Sequence, residues 1–515
     1  MGLRHGLLAG FSLIALSASA MAQTLPLPPV PGAARPVRLA QATVPATPKA
    51  KPSAAVPRPA SGPNVPHTLA EALAATYSNQ PALQAERAKL RATDENVPAA
   101  LAGWRPTVTL GGTAGYGDGL TRSFSFASVS PTNPRGTYLK SPNQRDVATT
   151  QAQVTQNIYN GGKTQGNVNR AKNQVMAERA LLIAQEQTSF NNAVSAYVGV
   201  IQTKQLLELQ INNEQVLRKQ LQATNDRFRV GEITRTDVAQ AEAAFAGASA
   251  TRETAIGNLQ TARGTFQQII GVFPPDDLLE PQPLDLPVKS EQEASSLAAA
   301  NNPNVISALF NDAAAKDAID VAFATLLPTV SVQGQTFQQE NAGASRSEAN
   351  GYLVTAQVSV PLYQGGSEYS AVRQARQAQQ QSNRLIDDAK RTAVQSAVQA
   401  WDTLAAARAA ANSTRAQIRA NQIALEGVER EAIVGSRTTL DVLNATQSLL
   451  NSRTTLVQNL SQVITGSYSV AAAIGRLTAR DMHLPVPLYD ETAYYEAVKN
   501  RWVGLGDHAT NQPGR

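Results

Sequence analysis

The sequence predicts a mixed α and β membrane protein: short two-faced strands feed very long helical hairpins, and two tandem structural repeats make up the chain. Three observations predict it: an internal echo, four strand patterns with one apolar face, and two proline-free helical runs of unusual length. In the echo, Ile158-Tyr159-Asn160-Gly161-Gly162 answers Leu362-Tyr363-Gln364-Gly365-Gly366. Ala171, Ala193, Gly231, Thr234, Asp237, Val238 and Gly271 likewise answer Ala375, Ala397, Gly435, Thr438, Asp441, Val442 and Gly475. An ungapped offset over this distance is the mark of duplicated structural units.

Upstream a second register pairs Asn79, Pro81, Ala102 and Pro106-Thr107-Val108 with Asn301, Pro303, Ala324 and Pro328-Thr329-Val330. The two offsets differ, so the first copy carries extra residues between Val108 and Gln156. Pro131-Thr132-Asn133-Pro134 and Ser141-Pro142-Asn143 there predict an irregular exposed loop. The resulting division is a first repeat over 67–271 with a β-hairpin at about 104–160, a linker of an outer belt over 272–289, and a second repeat over 290–477 with a β-hairpin at about 326–364. The tail 478–515 has no sustained pattern and is expected to be peripheral.

Arg4, the apolar run Leu7 to Leu16 and the small-residue site Ala20-Met21-Ala22 have the layout of a secretory signal peptide over 1–22. The Pro/Ala-rich stretch 23–66 reads as a disordered leader. No stretch approaches a spanning helix, so membrane insertion must be as β-structure. With Cys 0 in the sequence, disulfides, thiolate metal sites and a lipid-bearing cysteine are excluded. The net charge of +6 is spread along helical segments, which reads as solvated helix faces and not as a nucleic-acid surface.

On the strands the apolar set falls on even numbers: Val108, Leu110, Ala114 and Tyr116, then Ala148, Ala152, Val154 and Ile158. The second copy repeats this with Val330 and Val332, then Tyr352, Val354, Ala356, Val358, Val360 and Leu362, while Thr355, Gln357 and Ser359 take the other face. Alternation alone fits a soluble sandwich or a barrel wall. Number decides, because a bacterial barrel needs at least about eight strands and four per chain leave open edges. Three chains supply a barrel of about twelve strands, wide enough for a lumen. Trp104 and Tyr159 at strand ends fit either interfacial anchors or simple caps.

Helical patterns run from Lys163 to about Phe228 and from Ser367 to about Ile433, each about 100 Å long at 1.5 Å per residue. Val194, Tyr197, Ile201, Leu206, Leu209 and Val216 form the narrow seam of coiled-coil packing. Returning helices, about Thr236 to Ile270 and about Leu440 to Ile474, are half as long. The segments Pro81 to Ala102 and Pro303 to Thr325 are suited to stack end-on beyond them, so two short helices match one long one. Short helices near Leu69 and Leu297 and the Pro-rich stretch Phe273 to Pro287 complete the outer belt.

Strand, Tyr-x-Gly-Gly, long helix, Val-Gly-x-x-Thr turn and return helix, twice over, resemble the TolC family of outer membrane efflux and secretion channels. The likeness covers about His67 to Leu477 and is most specific at Ile433-Val434-Gly435-Ser436-Arg437-Thr438-Thr439-Leu440-Asp441-Val442-Leu443-Asn444-Ala445. It implies a homotrimer whose twelve-stranded barrel in outer membrane lipid continues into a coiled-coil tunnel across the periplasm. It also implies docking on a periplasmic adaptor (membrane fusion) protein and an inner membrane transporter, with no cofactor, metal or catalysis.

The turns Val230-Gly231-Glu232 and Val434-Gly435-Ser436 are the expected adaptor contacts, set against a plain role in chain reversal. Thr236 or Thr438 is expected to help start the following helix. The resemblance further implies a closed tip latched by Thr236, Asp237 and Arg437, with Ala432 where the family has a tyrosine. A constriction ring falls on Asp441 and Asn444, so only one of its two positions is acidic; the plainer reading of Asp441 is a helix-start carboxylate. Enzymatic motifs such as HExxH, Walker A and GxSxG are absent. The rival from another class is a non-transporting periplasm-spanning stalk or surface adhesin on the same small barrel.

Overall fold

The chain turns from strand to helix where glycine permits a left-handed backbone, and two such corners set the architecture. The computed structural model describes residues 66–125, 131–132, 137–142, 144–342 and 346–506; the expected signal peptide and nearly all of the leader lie outside them. At the first corner Gly161 and Gly162 have φ of +66° and +84°, at the second Gly365 and Gly366 have +71° and +83°. A Cβ on Gly161 would sit 2.6 Å from the Ala324 carbonyl oxygen, so the corner needs glycine for space as well as for φ.

Helices α1 (Leu69–Asn79), α2 (Pro81–Asp94) and α3 (Asn96–Leu101) lead into strands β1 (Thr107–Gly117), β2 (Leu120–Ser125), β3 (Thr137–Pro142) and β4 (Arg145–Asn160). The hairpin α4 (Lys163–Arg229) and α5 (Arg235–Ile270) follows, then α6 (Glu291–Asn301), α7 (Pro303–Phe323), β5 (Thr329–Glu340) and β6 (Glu348–Ser359). The second long hairpin is α8 (Ser367–Ile433) and α9 (Thr439–Ala473), and α10 (Ala493–Val498) lies in the tail. α4 and α8 each hold 67 residues, about 100 Å of helix. α5 packs on α4, α9 on both α8 and α4, and α7 lies between α4 and α8.

The strands form one antiparallel sheet in the order β1-β4-β5-β6, with β2 and β3 paired separately. The loop expected at Pro131–Asn143 is only partly irregular. β2 and β3 continue the β1–β4 hairpin in the same register, from Gly117↔Arg145 to Leu120↔Pro142 and Phe124↔Tyr138. Pro142 is tolerated because it ends its strand, where a missing N–H costs little. β6 stops at Ser359, so Val360 and Leu362 lie beyond the strand, just around Pro361.

Two apolar clusters make a belt around the middle of the helices. The larger joins Leu73, Leu83, Leu90, Phe190, Tyr197, Phe266, Ile270 and Leu477; the other joins Ala294, Leu404, Val463, Val470 and Ile474. Tyr197 donates its one hydroxyl proton within a site formed by the His67 and Leu279 carbonyls, each 2.8 Å away, tying the Pro-rich linker to α4. Of the expected seam, Val194 and Tyr197 are buried, whereas Val216 is exposed and its neighbours Asn213, Glu214 and Leu217 are buried instead. Glu214 explains the shift: it pairs with Arg218 at 3.0 Å and with Arg252 of α5 at 3.3 Å, a polar tie on the face that meets α5.

The tail is not peripheral throughout. Ala479 and Val498 are buried, Glu186 of α4 accepts from the Ala479 N–H, and the Tyr489 N–H donates to the Tyr77 hydroxyl. Arg87 stacks over the rings of both Tyr77 and Tyr489. The residues Glu186, Arg87, Arg179, Tyr489 and Thr492 line a cavity of about 800 Å³ under this strap. Burial pushes the Glu186 carboxyl up to about 7, and it does the same to Asp94 nearby.

Candidate functional site

The two helical tips share one turn geometry, dictated by a glycine and a threonine. Gly231 and Gly435 have φ of +79° and +80°, and the next amides reach back to Arg227 and Glu431, at 3.0 and 2.9 Å. This is the 6→1 bond that closes a helix end through a left-handed glycine. Three residues after each glycine, Thr234 and Thr438 start α5 and α9 by capping boxes with Asp237 and Asp441. Thr438 thus starts its helix as expected, while in the first copy Thr234 does so; Thr236 lies inside the first turn of α5, exposed.

Each capping carboxylate is tied within its own chain. Asp237 accepts from the Thr234 N–H at 3.0 Å and its hydroxyl at 2.7 Å; Asp441 does so from Thr438 at 3.0 and 2.8 Å. These bonds hold both carboxyls below their ordinary range, so both are anionic at neutral pH. Arg437 pairs with Glu431 of its own turn at 2.9 Å, and Arg227 with Glu232 at 2.5 Å. The structure therefore brings Arg437 and Asp441 to one tip and Thr236 and Asp237 to the other, without a direct bond between Arg437 and Asp237 inside one chain. Val230 and Val434 stand 78% and 80% exposed at the two extremities, and Asn444 is exposed one turn up from Asp441. Glu431, absent from the sequence reading, is the residue that ties Arg437; its spacing of six across a glycine turn was the available signal.

At the opposite end the even-numbered residues of the sheet form an uncovered apolar face. Val108, Leu110, Tyr116, Val154, Tyr352, Val354 and Val358 are all exposed, Leu110 at 79% and Tyr352 at 86%. Register places Val108 beside Val154 and Leu110 beside Ala152, so the apolar set is continuous across strands. A contiguous face of this kind marks contact with lipid or protein. Trp104 and Tyr159 are 46% and 49% exposed at its helix-side border. No helix among the described residues is long and apolar enough to cross a membrane, and no group of three or more His, Cys, Asp or Glu among them could hold a metal ion.

Long helical hairpins joined end-on to a small sheet with one apolar face define the class of channel proteins of the outer membrane. The model of the outer membrane efflux protein family matches residues 72–272 and 294–476. Outer membrane efflux protein BepC of Brucella suis is 34% identical over 441 residues, which are 85% of this chain and 92% of BepC. Outer membrane protein TolC of Escherichia coli is 26% identical over 318 residues, 58% of this chain and 63% of TolC. In fold, the chain is similar to the outer membrane protein VceC of Vibrio cholerae, with a TM-score of 0.64 at 20% identity over 79% of this chain and 96% of VceC. The chain belongs to the outer membrane efflux protein family, is an outer membrane channel protein, and is not an enzyme.

Proposed function

We propose that three copies of the chain form a gated duct, the outer membrane component of a tripartite efflux pump or secretion system. The observation that carries this reading is the pair of bare edges on the four-stranded sheet. Among the described residues, β1 and β6, of 11 and 12 residues, each leave one side of their backbone unpaired. In lipid every N–H and C=O must be bonded internally, so such edges have to meet strands of other copies. Three copies give a closed twelve-stranded barrel, and the two tandem repeats of each supply equivalent hairpin walls for the tunnel below it.

On this reading the helices lie in the periplasm and the duct opens outward through the barrel. An inner membrane transporter supplies the energy, and a periplasmic adaptor docks on the Val230-Gly231-Glu232 and Val434-Gly435-Ser436 turns. Exposed Val230 and Val434 offer that adaptor apolar contacts at both turns. Thr236, Asp237 and Arg437 latch neighbouring hairpins at the closed tip, Arg437 exchanging Glu431 for a carboxylate of the adjacent hairpin. A solvent-exposed pair of this kind is weak and screened by salt, which suits a latch that docking must open. Three copies of Asp441, with Asn444 a turn above, form a single anionic constriction that favours cations.

The mass of the detergent-solubilised particle tests the assembly. Three chains per particle, with β-structure retained, is the expected result; a folded monomer would contradict barrel closure.

A further inference from the structure

The β2–β3 pairing resumes the register of β1–β4 after a break at Asp118 and Gly119, so even-numbered residues of β2 and β3 take the register positions that continue the face of Val108, Leu110 and Tyr116. Moving away from the helices, that face presents Leu120 against Pro142, then Arg122 directly opposite Lys140, then Phe124 opposite Tyr138. Two like charges on facing residues of an antiparallel pair repel and destabilise it. Neither Arg122 nor Lys140 has an ion-pair or hydrogen-bond partner among the described residues, and both are exposed. The nearest carboxylates in the hairpin sequence, Asp118 and Asp146, lie back toward the helices, four residues before Arg122 and six after Lys140. The aromatic pair beyond the cations is packed edge to face, with ring centroids 5.4 Å apart, and Tyr138 is 67% exposed. At about 3.4 Å per residue the cation pair stands about 20 Å along the strand from Tyr116, past the end of the apolar belt.

We propose that Arg122 and Lys140, with Phe124 and Tyr138 beside them, bind the phosphorylated saccharide headgroup of the glycolipid in the outer leaflet, lipopolysaccharide. This rests on the reading that places the helices in the periplasm and hence this hairpin at the outer surface. A phosphate between the two cations turns a cross-strand repulsion into two charge-assisted hydrogen bonds. The aromatic rings offer flat apolar faces to the sugars, continuing the lipid contact of the apolar belt. Two cations on one face suit a multiply phosphorylated glycolipid better than a zwitterionic phospholipid, whose own ammonium competes for the phosphate.

The test compares wild-type trimer with Arg122→Gln plus Lys140→Gln, using purified deep-rough lipopolysaccharide as the probe and equal melting temperature and conductance as the folding control. Affinity at least about tenfold weaker in the variant is the expected result, as is equally weak binding of dephosphorylated lipid A to both proteins. Equal affinity in the two proteins, or complete displacement by millimolar inorganic phosphate, would overturn the proposal. Because the sequence has Cys 0, Ser123→Cys reports sidedness with a membrane-impermeant maleimide on intact cells. Labelling with unchanged lipopolysaccharide binding would sink this inference alone. Labelling only after permeabilisation would sink the outward orientation and the inference together.

Discussion

Gly231 and Gly435 illustrate how single positions carry the tip, because both have positive φ while a Cβ there would meet nothing within 4 Å. Replacing either by alanine isolates backbone strain from crowding and is expected to cost about 1 to 2 kcal/mol. Gly199, inside α4 without positive φ and also in open space, is the control; there alanine should stabilise by about 0.5 to 1 kcal/mol. Denaturant melts of the three variants check both signs.

Titration at Glu186 is a second residue-scale matter. Its carboxyl is pushed up to about 7 from an ordinary 4.5, so the folded belt binds this proton more tightly than the unfolded chain does. The stability it contributes is fully present below about pH 4.5 and is lost as pH rises through about 7. Hydrogen exchange of the 479–492 amides, corrected for intrinsic rates, should show protection falling from pH 5 to pH 8. Glu186→Gln should flatten that slope; an identical slope in the variant would remove Glu186 from the account. Asp94 acts in the same direction and retains its share.

At the scale of elements, the long helices were legible to within a residue because both ends carry glycine signals and the interior carries no proline. The expected ends near Phe228 and Ile433 became Arg229 and Ile433. Thr438 was legible as a cap, and Thr438→Ala should cost about 1 kcal/mol through loss of its bond to the Asp441 amide, read from the melting of the tip. Other elements were not legible, for physical reasons. β2 and β3 were hidden by Pro142 and by turn residues, since a cross-strand register is a long-range property that no local pattern displays. The tail was hidden because it packs as an irregular strap, through Ala479, Tyr489 and Val498, with no period to detect. Val216 misled because its apolar side chain fits a seam that Glu214 and Arg252 occupy with an ion pair. At the tip, positions were readable from spacing, whereas the partner of Arg437 depended on the turn folding Glu431 back beside it.

The whole molecule is governed by one mismatch: a sheet with an apolar face and two bare edges, attached to helical hairpins about 100 Å long. Even-numbered periodicity made the face legible, and strand number is what the proposed assembly of several copies rests on. Closure, as proposed, would be a property of an assembly and so has no local sequence signal. On the proposed reading, equivalent hairpin walls enclose a lumen, which a stalk does not need. Single-channel conductance in planar bilayers, comparing wild type with Arg437→Ala plus Asp237→Ala, tests this most directly. The account predicts discrete, low-conductance steps for wild type that grow in the double variant as the latch is lost. A folded trimer that gives no steps in either protein would contradict the duct, and large steps unchanged by the substitutions would contradict the latch.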